Sequence, residues 1–166
     1  DYTVYFVNLP SNKLELWMLL ESDRFLNPLL REFYKEQDVV MEERRMRTET
    51  QPVGKLLEEF LAAAYKAHPY GQPVIGHMSD LETITREEAR EFFKTHYAPS
   101  NLTVAIVGDV EPARVKTLAQ EYFGRIPYRP APEPVETVEP PQPGPRRVIV
   151  EDPAQPFVLI GYHKPG

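Results

Sequence analysis

Cysteine is absent from all 166 residues, which excludes disulfides, thiolate chemistry and cysteine-ligated zinc while leaving the redox compartment open. No run approaches the roughly 18 consecutive apolar residues of a membrane-spanning helix. The opening DYTVYFVNLP reads as a strand, not as a basic stretch followed by an apolar signal segment. The net charge of −6 argues against a duplex nucleic-acid surface, which needs clustered Lys and Arg. The single glycine of Gly108-Asp109, behind the apolar run that starts at Leu102, lacks the further glycines of a nucleotide-binding turn. There is no internal repeat, and the one tryptophan, Trp17, falls in an apolar helical stripe and reads as core.

The length suits one ordinary globular domain. Asp1 to Leu9 reads as a strand ending before Pro10, and Ser11 or Asn12 caps a helix carrying Leu14, Trp17, Met18 and Phe25 on one stripe. A helix is expected over Tyr34 to Glu49, interrupted by Gln-Pro-Val-Gly and resumed with an apolar face from Leu56 to Tyr65. HPYGQPVIGH is a loop by its proline and glycine density. Thr85-Arg-Glu-Glu88 has the form of a capping box and starts a helix to about His96. LTVAIVGD reads as a central strand, and Glu111-Pro112 opens a helix with Val115, Leu118, Ala119, Tyr122 and Phe123 on its buried side. Eight prolines in nineteen positions, Pro127 to Pro145, make an extended linker. RRVIV and QPFVLIGYH follow as two further strands. The fold expected is α+β, with helices packed on a mostly antiparallel sheet. Strand patterns at both ends and the absence of an initiator methionine suggest an interior piece of a longer chain.

The chain is organised around Tyr34 to Tyr65. Glu36, Val40, Glu43 and Arg47 are spaced four, three and four residues apart, so they share one side of a helix of about 3.6 residues per turn. On spacing alone, two carboxylates on such a stripe, with an arginine four residues on, read as a solvated, ion-paired face rather than as acids facing a site. His68 and His77 are zinc donors by residue type, but their separation across prolines and glycines matches no short chelating pair, so both read as structural or solvent-facing.

The run EQDVVMEERR, Glu36 to Arg45, resembles the segment that supplies the third zinc ligand in the M16 inverzincin peptidases, the family of pitrilysin, insulin-degrading enzyme and the mitochondrial processing peptidase. HPYGQPVIG, YAPSNLTVAIVGDV, YFGRIP and the opening Asp1, Thr3 and Tyr5 are similar to that family as well. The resemblance implies an M16 metallopeptidase-like (LuxS/MPP-like) fold. It divides the chain into a partial N-terminal peptidase domain at 1–126, a proline-rich linker at 127–146, and strands opening the second domain at 147–166. It implies Glu43 as a zinc ligand and Glu36 as an assisting acid behind the ligands. Both zinc-binding histidines and the general-base glutamate belong to a His-x-x-Glu-His motif, which this sequence does not contain. The parent would then be a zinc metalloendopeptidase acting on peptides or unfolded polypeptide, with the remaining M16 regions or a homologous subunit as partners, and this chain alone inactive. A noncatalytic M16 subunit acting in assembly or peptide binding, and an unrelated protein-binding module, are the alternatives. Cytoplasm and bacterial periplasm both stay open.

Overall fold

The computed structural model describes residues 2–164. Six α-helices appear among them: α1 (Leu14–Leu26), α2 (Phe33–Arg44), α3 (Pro52–Ala64), α4 (Met78–Thr83), α5 (Arg86–His96) and α6 (Pro112–Tyr122). A single π-helical turn, Arg45–Glu49, continues α2. Short 3-10 turns occupy Ser11–Lys13, Pro69–Gly71, Pro99–Asn101 and Phe123–Arg125.

The expected α+β sheet is absent: the described residues contain helices and irregular chain but no β-strand. The four segments read as strands, near residues 2–9, 102–109, 146–150 and 155–163, carry no assigned strand or bridge. β-branched and aromatic content marks a segment that would suit a pleated surface, but a strand exists only where a second segment accepts and donates its backbone hydrogen bonds. Without that ladder the apolar side chains stay in solvent, Phe6 at 86%, Val107 at 96% and Val158 at 85% exposure. Asp1, part of the opening family-like pattern, and the final two positions of the 147–166 segment lie outside the described residues.

The described residues form two compact units. The first takes the chain up to Arg31 and Glu87–Glu133. Leu14 and Met18 are one turn apart on α1 and meet Leu118 of α6, with Trp17, Val115, Tyr122 and Phe123 partly buried around them. Met18 is fully buried, a burial that favours folding by about 1.5–3 kcal/mol. Trp17 meets Phe123 in a tilted ring pair at 6.2 Å, so it is the packing residue its stripe implied. A second aromatic group forms where Phe93 stacks on Tyr97 at 4.6 Å, Phe25 lies against both, and the Tyr5 and Tyr97 hydroxyls share a hydrogen bond of 2.5 Å.

The second unit takes Glu32–Arg86 and the described chain from Pro134 onward. Pro52 occupies the first turn of α3, where the missing N–H costs no helical hydrogen bond. Gly54 is required by a close approach: a Cβ there would lie 2.1 Å from the Arg47 carbonyl oxygen of the π turn. The far end of α3 is tied to the proline-rich segment. Arg146 donates to the free carbonyls of Ala63 and Ala64, a cation at a helix C-terminus. Glu139 accepts from the N–H groups of Lys66, Ala67 and His68 at 2.7–2.8 Å, and Lys55 pairs with Asp152.

Candidate functional site

Helix α2 presents two parallel stripes. Phe33, Gln37, Val40, Met41 and Arg44 are at least partly buried, whereas Glu36, Asp38, Val39 and Glu42 are exposed. Successive residues turn by about 100°, so Glu36 and Glu43, seven apart, stand on one line at the rim of the buried stripe. Glu36 occupies the first turn of α2 and is exposed, where a carboxylate also complements the helix dipole. Glu43 stands at the other end with its side chain 38% exposed, paired to Arg47 at 3.2 Å. The helix expected over Tyr34 to Glu49 thus ends as α-helix at Arg44. Beyond it the Thr50 N–H bonds to the Arg45 carbonyl, five residues back, at 2.9 Å. Single π turns of this kind are rare and concentrate at functional sites.

The donor set suits one corner of a metal site. Seven residues at about 1.5 Å each separate the two acid positions by roughly 10 Å along the axis, too far for both carboxylates to serve as direct ligands of one ion without reaching toward each other. Among the described residues no group of three or more His, Asp or Glu is placed to hold a metal. The histidines are engaged in local structure: His68 Nδ1 accepts from the Tyr70 N–H at 3.2 Å and caps the Pro69–Gly71 turn, and His77 Nε2 bonds the Gln72 side chain at 3.0 Å. A lone partly exposed Glu43, with an oxygen donor and a displaceable guanidinium partner, fits a zinc ligand whose companions come from elsewhere.

Sequence reasoning missed what holds this helix. Arg44 is 6% exposed and forks onto Glu58 of α3, Nη1 at 3.0 Å and Nη2 at 2.9 Å. Nη1 also donates to the Gly76 carbonyl at 2.8 Å, in a turn whose φ of 86° favours glycine. Nε approaches Glu49 of the π turn at 3.5 Å, an ion pair without hydrogen-bond geometry. The bonds to Glu58 raise the guanidinium pKa against the opposing effect of burial, so the group stays a cation. Gln37, seven residues before Arg44, donates to the Leu81 and Ile84 carbonyls at the end of α4, at 2.5 and 3.2 Å. Gly54 was the one local hint, since a glycine inside an otherwise good helix often marks a close contact.

A family model described as the peptidase M16 inactive domain matches residues 83–166. The zinc protease PqqE of Helicobacter pylori is 34% identical over 172 residues, covering 99% of this chain and 38% of the relative. An uncharacterized zinc protease of Mycobacterium leprae is 33% identical, covering 100% of this chain and 38% of the relative. The crystal structure of a protease from Helicobacter pylori superposes with a TM-score of 0.72 at 33% identity, over 78% of this chain and 32% of that one. The chain thus spans well under half the length of the relatives it matches, and Glu36 and Glu43 lie before the matched 83–166 segment. From its motifs, its relatives and this superposition, the chain belongs to the M16 zinc-protease family, the insulinase-like inverzincins.

Proposed function

We propose that this chain is the part of a zinc-dependent metalloendopeptidase in which Glu43 supplies one zinc ligand and Glu36 assists from behind the ligand set. The observation that carries the reading is the outward line of two carboxylates on α2, beside a π turn, in a chain that two relatives named zinc proteases match over 99% and 100% of its length. Two histidine ligands and the general-base glutamate come from residues outside this sequence. Zinc in such a site polarises the scissile carbonyl and lowers the pKa of bound water. Glu43 contributes an anionic oxygen donor and exchanges its Arg47 partner for the ion. Glu36, about 10 Å along the helix, orients a neighbouring ligand or tunes the local field. One donor cannot complete the site, so the 166 residues alone do not hydrolyse peptides. The substrate is a peptide or unfolded polypeptide, and the remaining M16 regions or a homologous subunit complete the enclosure. The 127–146 segment is read as the linker between a partial first M16 domain and residues opening the second.

A noncatalytic subunit is the second reading, favoured by the match of residues 83–166 to the domain described as inactive. In the full-length protein, Glu43→Gln should lower zinc content and peptide hydrolysis together, with circular dichroism unchanged. Glu36→Gln should largely retain zinc while activity falls about 10–100-fold, the range for residues that orient metal ligands. Full zinc content in folded Glu43→Gln protein would remove Glu43 from the ligand set. A wild-type protein that neither binds zinc nor cleaves unfolded polypeptide would support the noncatalytic reading.

A further inference from the structure

We propose that Arg44 is a positioning residue that sets where the Glu43 carboxylate stands. The proposal rests on the reading of Glu43 as a zinc ligand and adds the device that holds it. No hydrophobic side chain of the second unit is fully buried among the described residues; its one buried residue is Arg44. The C-terminal end of α2 is therefore held chiefly by a guanidinium rather than by close apolar packing. That guanidinium reaches Glu58 on α3, the carbonyl of Gly76 and the Glu49 carboxylate of the π turn. Two separate segments, and the π turn that continues α2, converge on one side chain.

Arg44 directly follows Glu43, so the two side chains leave α2 about 100° apart. Fixing Arg44 inward fixes the rotation at which Glu43 meets the rim. A side-chain tip about 5–6 Å from the helix axis moves about 2 Å when the helix rolls by about 20°, whereas metal ligation tolerates only about 0.2 Å. Lysine cannot reproduce the fork, because a single ammonium cannot present parallel donors to both Glu58 oxygens in the same plane. Gln37 anchors the helix on the same stripe one heptad earlier, immediately after Glu36. Each acid of the outward line is thus followed by an inward polar anchor.

A double-mutant cycle on the full-length protein tests this, using zinc alone as the probe. Zinc affinity is measured by chelator competition well below the unfolding temperature of every variant, with circular dichroism confirming the fold. Arg44→Lys should weaken zinc binding about tenfold, at the low end of the range for residues that orient ligands. In the Glu43→Gln background the same change should have no further effect, because there is no longer a carboxylate to place. Equal weakening in both backgrounds, or unchanged affinity in Arg44→Lys, would overturn the role of Arg44 while leaving Glu43 as ligand. Wild-type affinity in Glu43→Gln itself would sink the zinc-ligand reading, and the positioning role with it. If Arg44→Lys does not fold, Glu58→Gln removes the other half of the fork and is read in the same cycle.

Discussion

Single side chains carry the charged organisation of the second unit, and Glu139 shows how far a backbone can shift a carboxylate. Desolvation pushes its pKa up, but the N–H donors of Ala67, His68 and Lys66, with the charge of Arg146, outweigh that effect and hold it at about 2. The folded-state value is therefore depressed below the ordinary carboxylate range. A depressed carboxylate contributes stability that is fully present above its unfolded pKa and disappears as pH falls through the folded value. Denaturant titrations of the wild type and Glu139→Gln should differ by a constant amount above about pH 4.5 and converge between there and about pH 2. A gap that persists unchanged at pH 2 would mean that the carboxylate charge is not what holds the segment.

Helix α3 and the π turn behave as one element because of Gly54. In an exposed helix interior, Gly→Ala ordinarily stabilises by about 0.5–1 kcal/mol. Here the new methyl would sit 2.1 Å from the Arg47 carbonyl oxygen, a contact with backbone that no side-chain rotation relieves. Overpacking of this kind costs about 1–3 kcal/mol, so the clash outweighs the propensity gain. Gly54→Ala should lower the urea midpoint, and a raised midpoint would show that the turn can move away without penalty. The displacement would fall on the π turn that carries Arg47, the ion-pair partner of Glu43 just before it, so a loss of zinc affinity is expected alongside.

At the scale of the chain, cleavage is expected within Pro127 to Pro145, the stretch proposed above as a linker. It is pinned at Arg129, which donates to the Tyr97 carbonyl, and again at Glu139. Between these ties Val135 and Val138 are largely exposed. Glu133 and Glu139 each precede a proline, which blocks most proteases, so a glutamate-specific protease should cut after Glu136. If the segment is the proposed linker, the helical signal of the residues before the cut should survive, because a linker carries few cooperative contacts. Resistance at Glu136, combined with collapse of the helical signal once cleavage is forced, would count against a linker there.

Local features of the sequence determined the helices. The i, i+4 pair of Leu14 and Met18 and the Val115 to Tyr122 stripe depend on neighbours within a few residues, and each stands in the structure. The interruption expected over Gln-Pro-Val-Gly is confined to Thr50 and Gln51, because Pro52 opens α3 and carries Val53 and Gly54 into it. The seven-residue line of Glu36 and Glu43 was legible for the same reason, since helical pitch alone aligns it. Tertiary structure decided the rest. Whether the apolar runs near Val4, Val107 and Val158 pair into a sheet depends on a partner segment, which their own composition does not supply. Likewise, Glu58 and Gly76 lie fourteen and thirty-two residues beyond Arg44, so nothing in EERRMR distinguishes the arginine that turns inward from the neighbours that remain in solvent. A buried guanidinium needs partners already in place to offset its desolvation, and only the folded chain brings them there.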